Sequence, residues 1–205
     1  MTIELYQDDL PGDHPFTATD AIAVDTETMG LKTHRDRLCL VQLSGGDGNA
    51  VLVQFSAGRY DAPNLKALLG ETSVQKIYHY ARFDLAAIRK YLGVWAEPVF
   101  CTKIASKLVR TYTDRHGLKD LCKELLDVDL SKEKQSSDWG AGELTAAQQA
   151  YAASDVLYLH RLRDRLNTRL EREHRRELAE ACFGFLRARA ELDLAGWPDE
   201  DIFAH

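Results

Sequence analysis

The chain has 205 residues, 45% of them hydrophobic and 28% charged, a globular composition with enough length for one cored domain without disulfide staples. Its 26 Lys and Arg against 32 Asp and Glu leave −6 at pH 7, the wrong sign for a surface that grips long polyanions. No apolar run approaches the roughly 18 residues of a membrane span, and Met1 to Asp9 has neither the basic nor the apolar region of a signal peptide.

Ala21–Val24 is short, apolar and β-prone and ends at Asp25. Leu38–Leu43 and Ala50–Phe55 are runs of the same kind, joined by the turn residues Gly45-Gly46-Asp47-Gly48-Asn49. Three consecutive antiparallel strands are predicted. Asn64–Leu69 reads as a short helix behind Pro63, and Gln75–His79 as a fourth strand. Apolar residues at 83, 85, 88 and 92 predict a helix over Ala81–Leu92. From Thr102 the pattern is helical, broken at 113–117 and 130–142. Leu144, Tyr151, Leu159, Leu162, Leu166 and Leu170 share a helical period, which 178–192 continues. This order predicts an α/β fold, a mixed sheet flanked by helices with a helical C-terminal portion. With no Gly-, Pro- or Ser-rich linker, residues 1–205 read as a single domain.

The cysteines, Cys39, Cys101, Cys122 and Cys182, stand singly and without zinc-ligand spacing, as reduced thiols of a cytoplasmic protein do. Neither a GxxxxGK[ST] loop nor a GxGxxG fingerprint is present. The chemistry lies in the acids. Asp25-Thr26-Glu27 closes the first predicted strand, and residues two apart on a strand share a face. A lone D-x-E triplet is also what a solvent-facing edge presents. Asp84 falls in the first turn of a predicted helix, where the helix dipole by itself favours an acid. Tyr151 and Asp155 are four apart on another helix and share a face, although a tyrosine there is also ordinary core. Taken together, four carboxylates from three elements can converge on one patch, and such a set calls for divalent metal. All-oxygen ligands favour Mg²⁺ or Mn²⁺, and a pair of such ions forms the clamp used for displacement at a phosphodiester.

At these residues the chain resembles the DEDD-type 3′–5′ exonucleases on a ribonuclease H-like fold, with Asp25 and Glu27, then Asp84, then Asp155 in motif order. The Tyr151-to-Asp155 spacing resembles the tyrosine (DEDDy) branch, to which ribonuclease D belongs; the histidine of the sister branch is replaced by Ala150. Gln135-Ser136-Ser137-Asp138-Trp139 is also similar to the stretch before the third motif of ribonuclease D. Tyr80 stands where the second motif often has Asn, and the chain ends before ribonuclease D's helical accessory domains. The runs Ala23–Leu31, Phe100–Leu108, Thr111–Leu118 and Asp201–His205 resemble the nanoRNase C family. That resemblance implies a ring-forming homo-oligomer, commonly an octamer, that finishes RNA decay by cutting very short RNA, dinucleotides above all, with no membrane association.

The resemblance further implies two divalent cations, one held by Asp25, Glu27 and Asp155, the other by Asp25 and Asp84, with Tyr151 orienting the attacking water. The stretch after the first motif, Thr28, Met29, Gly30 and Leu31, is expected to bind substrate, and Leu31 is at the spacing of a leucine that wedges between two bases, or is a core residue at a strand end. His79 is placed to meet a 5′-phosphate or ribose, or to serve a structural role; Trp139 lines the site or packs. The alternative activity is ribonuclease D-like trimming of tRNA or longer RNA 3′ ends, which needs an extended basic track. Two basic runs, Lys103 to Lys119 and Arg161 to Arg176, recognise a phosphate, face a neighbouring subunit or are simply solvated. Leu192, Leu194, Trp197, Ile202 and Phe203 make the tail too apolar to hang free.

Overall fold

The computed structural model of the chain describes residues 1–130 and 137–205. The three predicted antiparallel strands form as β2 (Ala21–Thr28), β3 (Leu38–Ser44) and β4 (Ala50–Gln54), and the helices α1 (Pro63–Gly70) and α2 (Ala81–Leu92) frame β5 (Gln75–Tyr78). Two strands escape the sequence pattern. β1 (Ile3–Gln7) is a half-exposed edge strand parallel to β4, and Glu4 and Gln7 keep its few apolar residues from making a run. β6 (Val99–Cys101) is three residues long and passes straight into α3 (Thr102–Val109). The sheet order is β1-β4-β3-β2-β5-β6, with β2, β5 and β6 mutually parallel. The helical C-terminal portion holds α4 (Leu118–Leu126), α5 (Ala146–Leu157), α6 (Leu159–Arg172) and α7 (Arg176–Ala195). The long period over 144–170 is two helices, because the backbone turns at Tyr158 (φ −106°, ψ −4°).

Register decides which residues face which layer. Asp25, Gln42 and Leu52 form one cross-strand row, and Glu27, Leu40 and Gln54 the next, on the face covered by α5. Leu40, Leu52, Trp139, Leu144 and Ala152 make a small apolar core there. The alternate residues, Val41, Leu43, Val51 and Val53, join the main core beneath the other helices. β2 runs through Asp25 and Glu27 instead of ending at Asp25, since both acids keep partners on β3.

α5 starts at a capping box: Gln148 N donates to Thr145 Oγ1 at 3.2 Å, and Thr145 N donates to Gln148 Oε1 at 3.0 Å. Ala152 and Ala153, both fully buried, let the helix lie close to the sheet. We expect Thr145→Ala to destabilise the chain by about 1 kcal/mol. The expected fall in Tm is about 2–4 °C by thermal denaturation, and an unchanged Tm would mean that the cap does not hold the start of α5.

Candidate active site

β2 pairs with β5 only over Ala21–Ala23, so beyond Ala23 that edge of β2 has no neighbouring strand among the described residues. α2 begins three residues after β5 ends and brings its first turn to this gap, where Thr26 Oγ1 donates to Asp84 Oδ1 at 2.7 Å. From the opposite layer, α5 presents Tyr151 and, one turn later, Asp155. A cleft of about 350 Å³ at this junction is lined by all five predicted residues, Asp25, Glu27, Asp84, Tyr151 and Asp155. Carboxylate oxygens of Asp25, Glu27 and Asp155 lie within 4.8 Å of one another.

Burial and crowding make this set costly as anions. Burial raises Asp25 well above the carboxylate range, with Asp84, Asp155 and Glu27 adding to it. Glu27 is pushed up to about 9 by burial and then by Asp155 and Asp84. Asp84 and Asp155 rise to about 7, mainly through burial, against the hydrogen bond from Thr26 and the adjacent Tyr151 hydroxyl respectively. Tyr151 is itself raised by burial and by these acids, so its hydroxyl keeps its proton and acts as a donor. A donor set of oxygens only, packed until its members repel, fits a hard divalent cation such as Mg²⁺ or Mn²⁺.

The other sequence-predicted residues divide. Leu31 lines the cleft and is 88% exposed, so it is no core residue. Its loop is tied together by Asp36, which accepts from Lys32 N at 2.9 Å and Arg35 Nε at 2.6 Å, and a Cβ at Gly30 would run into that carboxylate. Thr28 bonds Gly30 O, and Met29 lies against Gly140, so Thr28, Met29 and Gly30 shape this loop and are not part of the cleft wall. His79 lines the cleft with Nδ1 at 2.9 Å from Thr102 Oγ1, whose hydroxyl donates to Tyr78 O. Burial, with Lys103 nearby, lowers His79 to about 3, so the ring is neutral and offers a phosphate no charge.

Trp139 is buried in the small core with its ring centroid 6.1 Å from that of Tyr151, a packing partner behind the site and not a wall of it. Gln135 and Ser136 lie outside the described residues. Thr26, Lys103 and Lys119 also line the cleft. Thr26 points away from the acid face of β2 and carried no signal, whereas the lysines were visible only as members of a basic run. Arg110 of that run is buried against Glu124, which it holds down to about 2.

The 3′–5′ exonuclease profile of the DNA polymerase A type matches residues 14–171. The chain belongs to the 3′–5′ exonuclease family. Ribonuclease D of Gluconacetobacter diazotrophicus is 37% identical over 75% of the exonuclease chain, and the match spans only 39% of that relative. The chain thus covers about two fifths of the length of the curated ribonucleases D it matches. Among solved structures, NrnC of Brucella melitensis is 59% identical with a TM-score of 0.96, covering 100% of this chain and 98% of the other. The same protein has been solved bound to pGG (60%, TM-score 0.96) and with bound Mg²⁺ (58%, TM-score 0.95). Escherichia coli RNase D, described as an exoribonuclease involved in structured RNA processing, is 28% identical with a TM-score of 0.75 over 85% of this chain and 46% of its own. The mixed sheet with flanking helices is therefore that of the DEDD exonucleases. Among the described residues no helix is long and apolar enough to cross a membrane.

Raised carboxylates make the metal-free exonuclease sensitive to pH in a defined direction. The folded chain holds protons that the unfolded chain has released above about pH 5, so stability falls as pH rises toward the folded pKa values. Between pH 7 and 8 an imidazole of the unfolded chain is already mostly deprotonated, and the loss in EDTA is expected at about 1.4 kcal/mol per pH unit for each proton so held. Urea denaturation at the two pH values measures it. Glu27→Gln should flatten the slope, and a stability that rises over this interval would show that the buried acids do not hold these protons.

Proposed function

We propose that this chain is a divalent-metal-dependent 3′–5′ exoribonuclease that cuts very short oligoribonucleotides, dinucleotides above all, to 5′-mononucleotides at the end of RNA decay. The carrying observation is the convergence of Asp25, Glu27, Asp84 and Asp155 in a cleft of about 350 Å³ whose wall includes the exposed Leu31. That volume is at the small-ligand end of binding sites, and the net charge of −6 supplies no broad basic track for a long strand. NrnC bound to pGG, similar over the whole chain, supports the same reading.

In this reading Asp25, Glu27 and Asp155 would hold one cation and Asp25 with Asp84 a second. Bound there, Mg²⁺ or Mn²⁺ supplies positive charge to the scissile phosphate and a lowered pKa to water. The protein's own groups do the rest. Tyr151 keeps its proton and donates to the attacking water or a phosphate oxygen, fixing the line of approach. Water adds to phosphorus as the P–O3′ bond breaks, and the leaving oxygen takes a proton, giving a 5′-phosphate and a free 3′-hydroxyl. Leu31 enters between the two bases, held out by its braced loop. Lys103 and Lys119 on the wall face the substrate's phosphates.

The same proposal makes the chain a single cytoplasmic exonuclease domain that assembles as a homo-oligomer, on the family's pattern an octameric ring. Phe185, Trp197, Ile202 and Phe203 remain exposed on α7 and the tail, Phe203 by 75%, although Phe185 and Phe203 touch with centroids 5.8 Å apart. Such a patch suits burial against another copy.

Turnover of 5′-phosphorylated RNAs of two to seven residues, with Mg²⁺ or Mn²⁺, tests the activity. Fastest cleavage of the dinucleotide is expected, with only shallow salt dependence. Equal rates across lengths with a steep salt slope would instead support ribonuclease D-like trimming of longer 3′ ends. Asp25→Ala should abolish turnover. Tyr151→Phe should lower kcat by about 10²-fold with KM little changed. Leu31→Ala should lower kcat/KM on dinucleotides more than on a chromogenic mononucleotide ester.

A further inference from the structure

Gln42 lies in the middle of β3 with strands on both sides, opposite Asp25 on β2 and Leu52 on β4. Its side chain is fully buried and forms no part of the cleft wall. Nε2 donates to Asp25 Oδ2 at 3.2 Å, while Oε1 has no hydrogen-bond partner among the described residues. The amide orientation follows from this contact, since the opposite one would set two acceptors against each other once Asp25 is ionised. On the same face Leu40 and Leu52 are apolar and closely packed. Leucine or methionine at 42 would fill the position without stranding a buried acceptor, whereas the amide carries its desolvation cost for one hydrogen bond. That bond goes to the acid that the proposed metal set shares between both cations.

We infer that Gln42 is a positioning residue for the metal centre: its amide pins one oxygen of Asp25 and fixes the carboxylate's rotation, leaving the other oxygen presented to the cation. The inference rests on the metal reading of the cleft. Asp25 stands on a strand, where its side chain has torsional freedom, and among the described residues Gln42 makes the side-chain hydrogen bond that restricts it. Partners of this kind behind a ligand typically contribute 10–100-fold in metal affinity. The contact arises from strand register, so it acts through the sheet and needs no group in the cleft.

Mn²⁺ titration calorimetry of the full chain without RNA, paired with thermal melting in EDTA, tests this. Gln42→Met should bind Mn²⁺ about 10–100-fold more weakly and melt in EDTA at or above the wild-type temperature. A merely structural glutamine predicts the opposite, a lower melting point with wild-type Mn²⁺ affinity, and that result overturns the inference. Should Gln42→Met not fold, Gln42→Asn withdraws the amide by one methylene and should show the same weakening; wild-type affinity in it also overturns the inference. Failure of both variants to fold does so too, because the amide is argued to be a burden on the fold. A wild-type chain that binds no Mn²⁺ at millimolar concentration removes the metal reading itself, a result distinct from equal binding by wild type and variants.

Discussion

Repulsion among four carboxylates drawn out of water is the constraint on which the rest of the structure depends. Removing one unpaired charge from water costs several kcal/mol, a large share of the roughly 5–15 kcal/mol that holds a domain together. Metal-free, the cluster relieves itself by keeping protons, as the raised pKa values of Glu27, Asp84 and Asp155 record. Cations offset the same repulsion without protons and leave the carboxylates as ligands. The cleft is thus a site whose occupied state is electrostatically easier than its empty one.

A cluster of that kind needs rigid supports on every side. Asp25 and Glu27 are held by pairing with β3, Asp84 by the first turn of α2 and the Thr26 hydroxyl, and Tyr151 and Asp155 by a capped helix backed by Trp139. The far wall has its own anchor. Arg110, buried and paired with Glu124, also donates to Arg115 O at 2.6 Å and Ser106 Oγ at 2.9 Å, fixing the turn that leads to Gly117, Leu118 and Lys119 on the cleft. A short chain thereby brings three layers of structure to one small opening.

Charge and size then work in the same direction. The acidic balance that weighs against long nucleic acids is partly the site itself, and the two divalent cations proposed for it would bring −6 to about −2. Lys103 and Lys119 stand at the cleft, while Arg110 is spent inside the fold and Arg82 and Arg189 both pair with Asp193. Among the described residues few free cations remain near the acids, in keeping with the proposed substrate of few phosphates.

The sequence by itself determined the acid set, the tyrosine one turn before Asp155, the three antiparallel strands and the helical C-terminal part. The strands and the helical part rest on local periodicity, whereas the acids, each of which alone also fitted a solvent-facing or capping role, became legible as a set through the DEDD motif order. Tertiary structure alone decided which neighbours matter. That Thr26 reaches Asp84, that Gln42 faces Asp25, and that Trp139 sits behind Tyr151 depends on strand register and on the layer each element occupies. Leu31 shows the difference plainly: its position in the chain fitted core and wedge equally, and only the loop braced by Asp36 leaves it in the open. β1 and β6 escaped for a related reason, because an edge strand and a three-residue strand owe their form to a neighbour's hydrogen bonds and carry little pattern of their own.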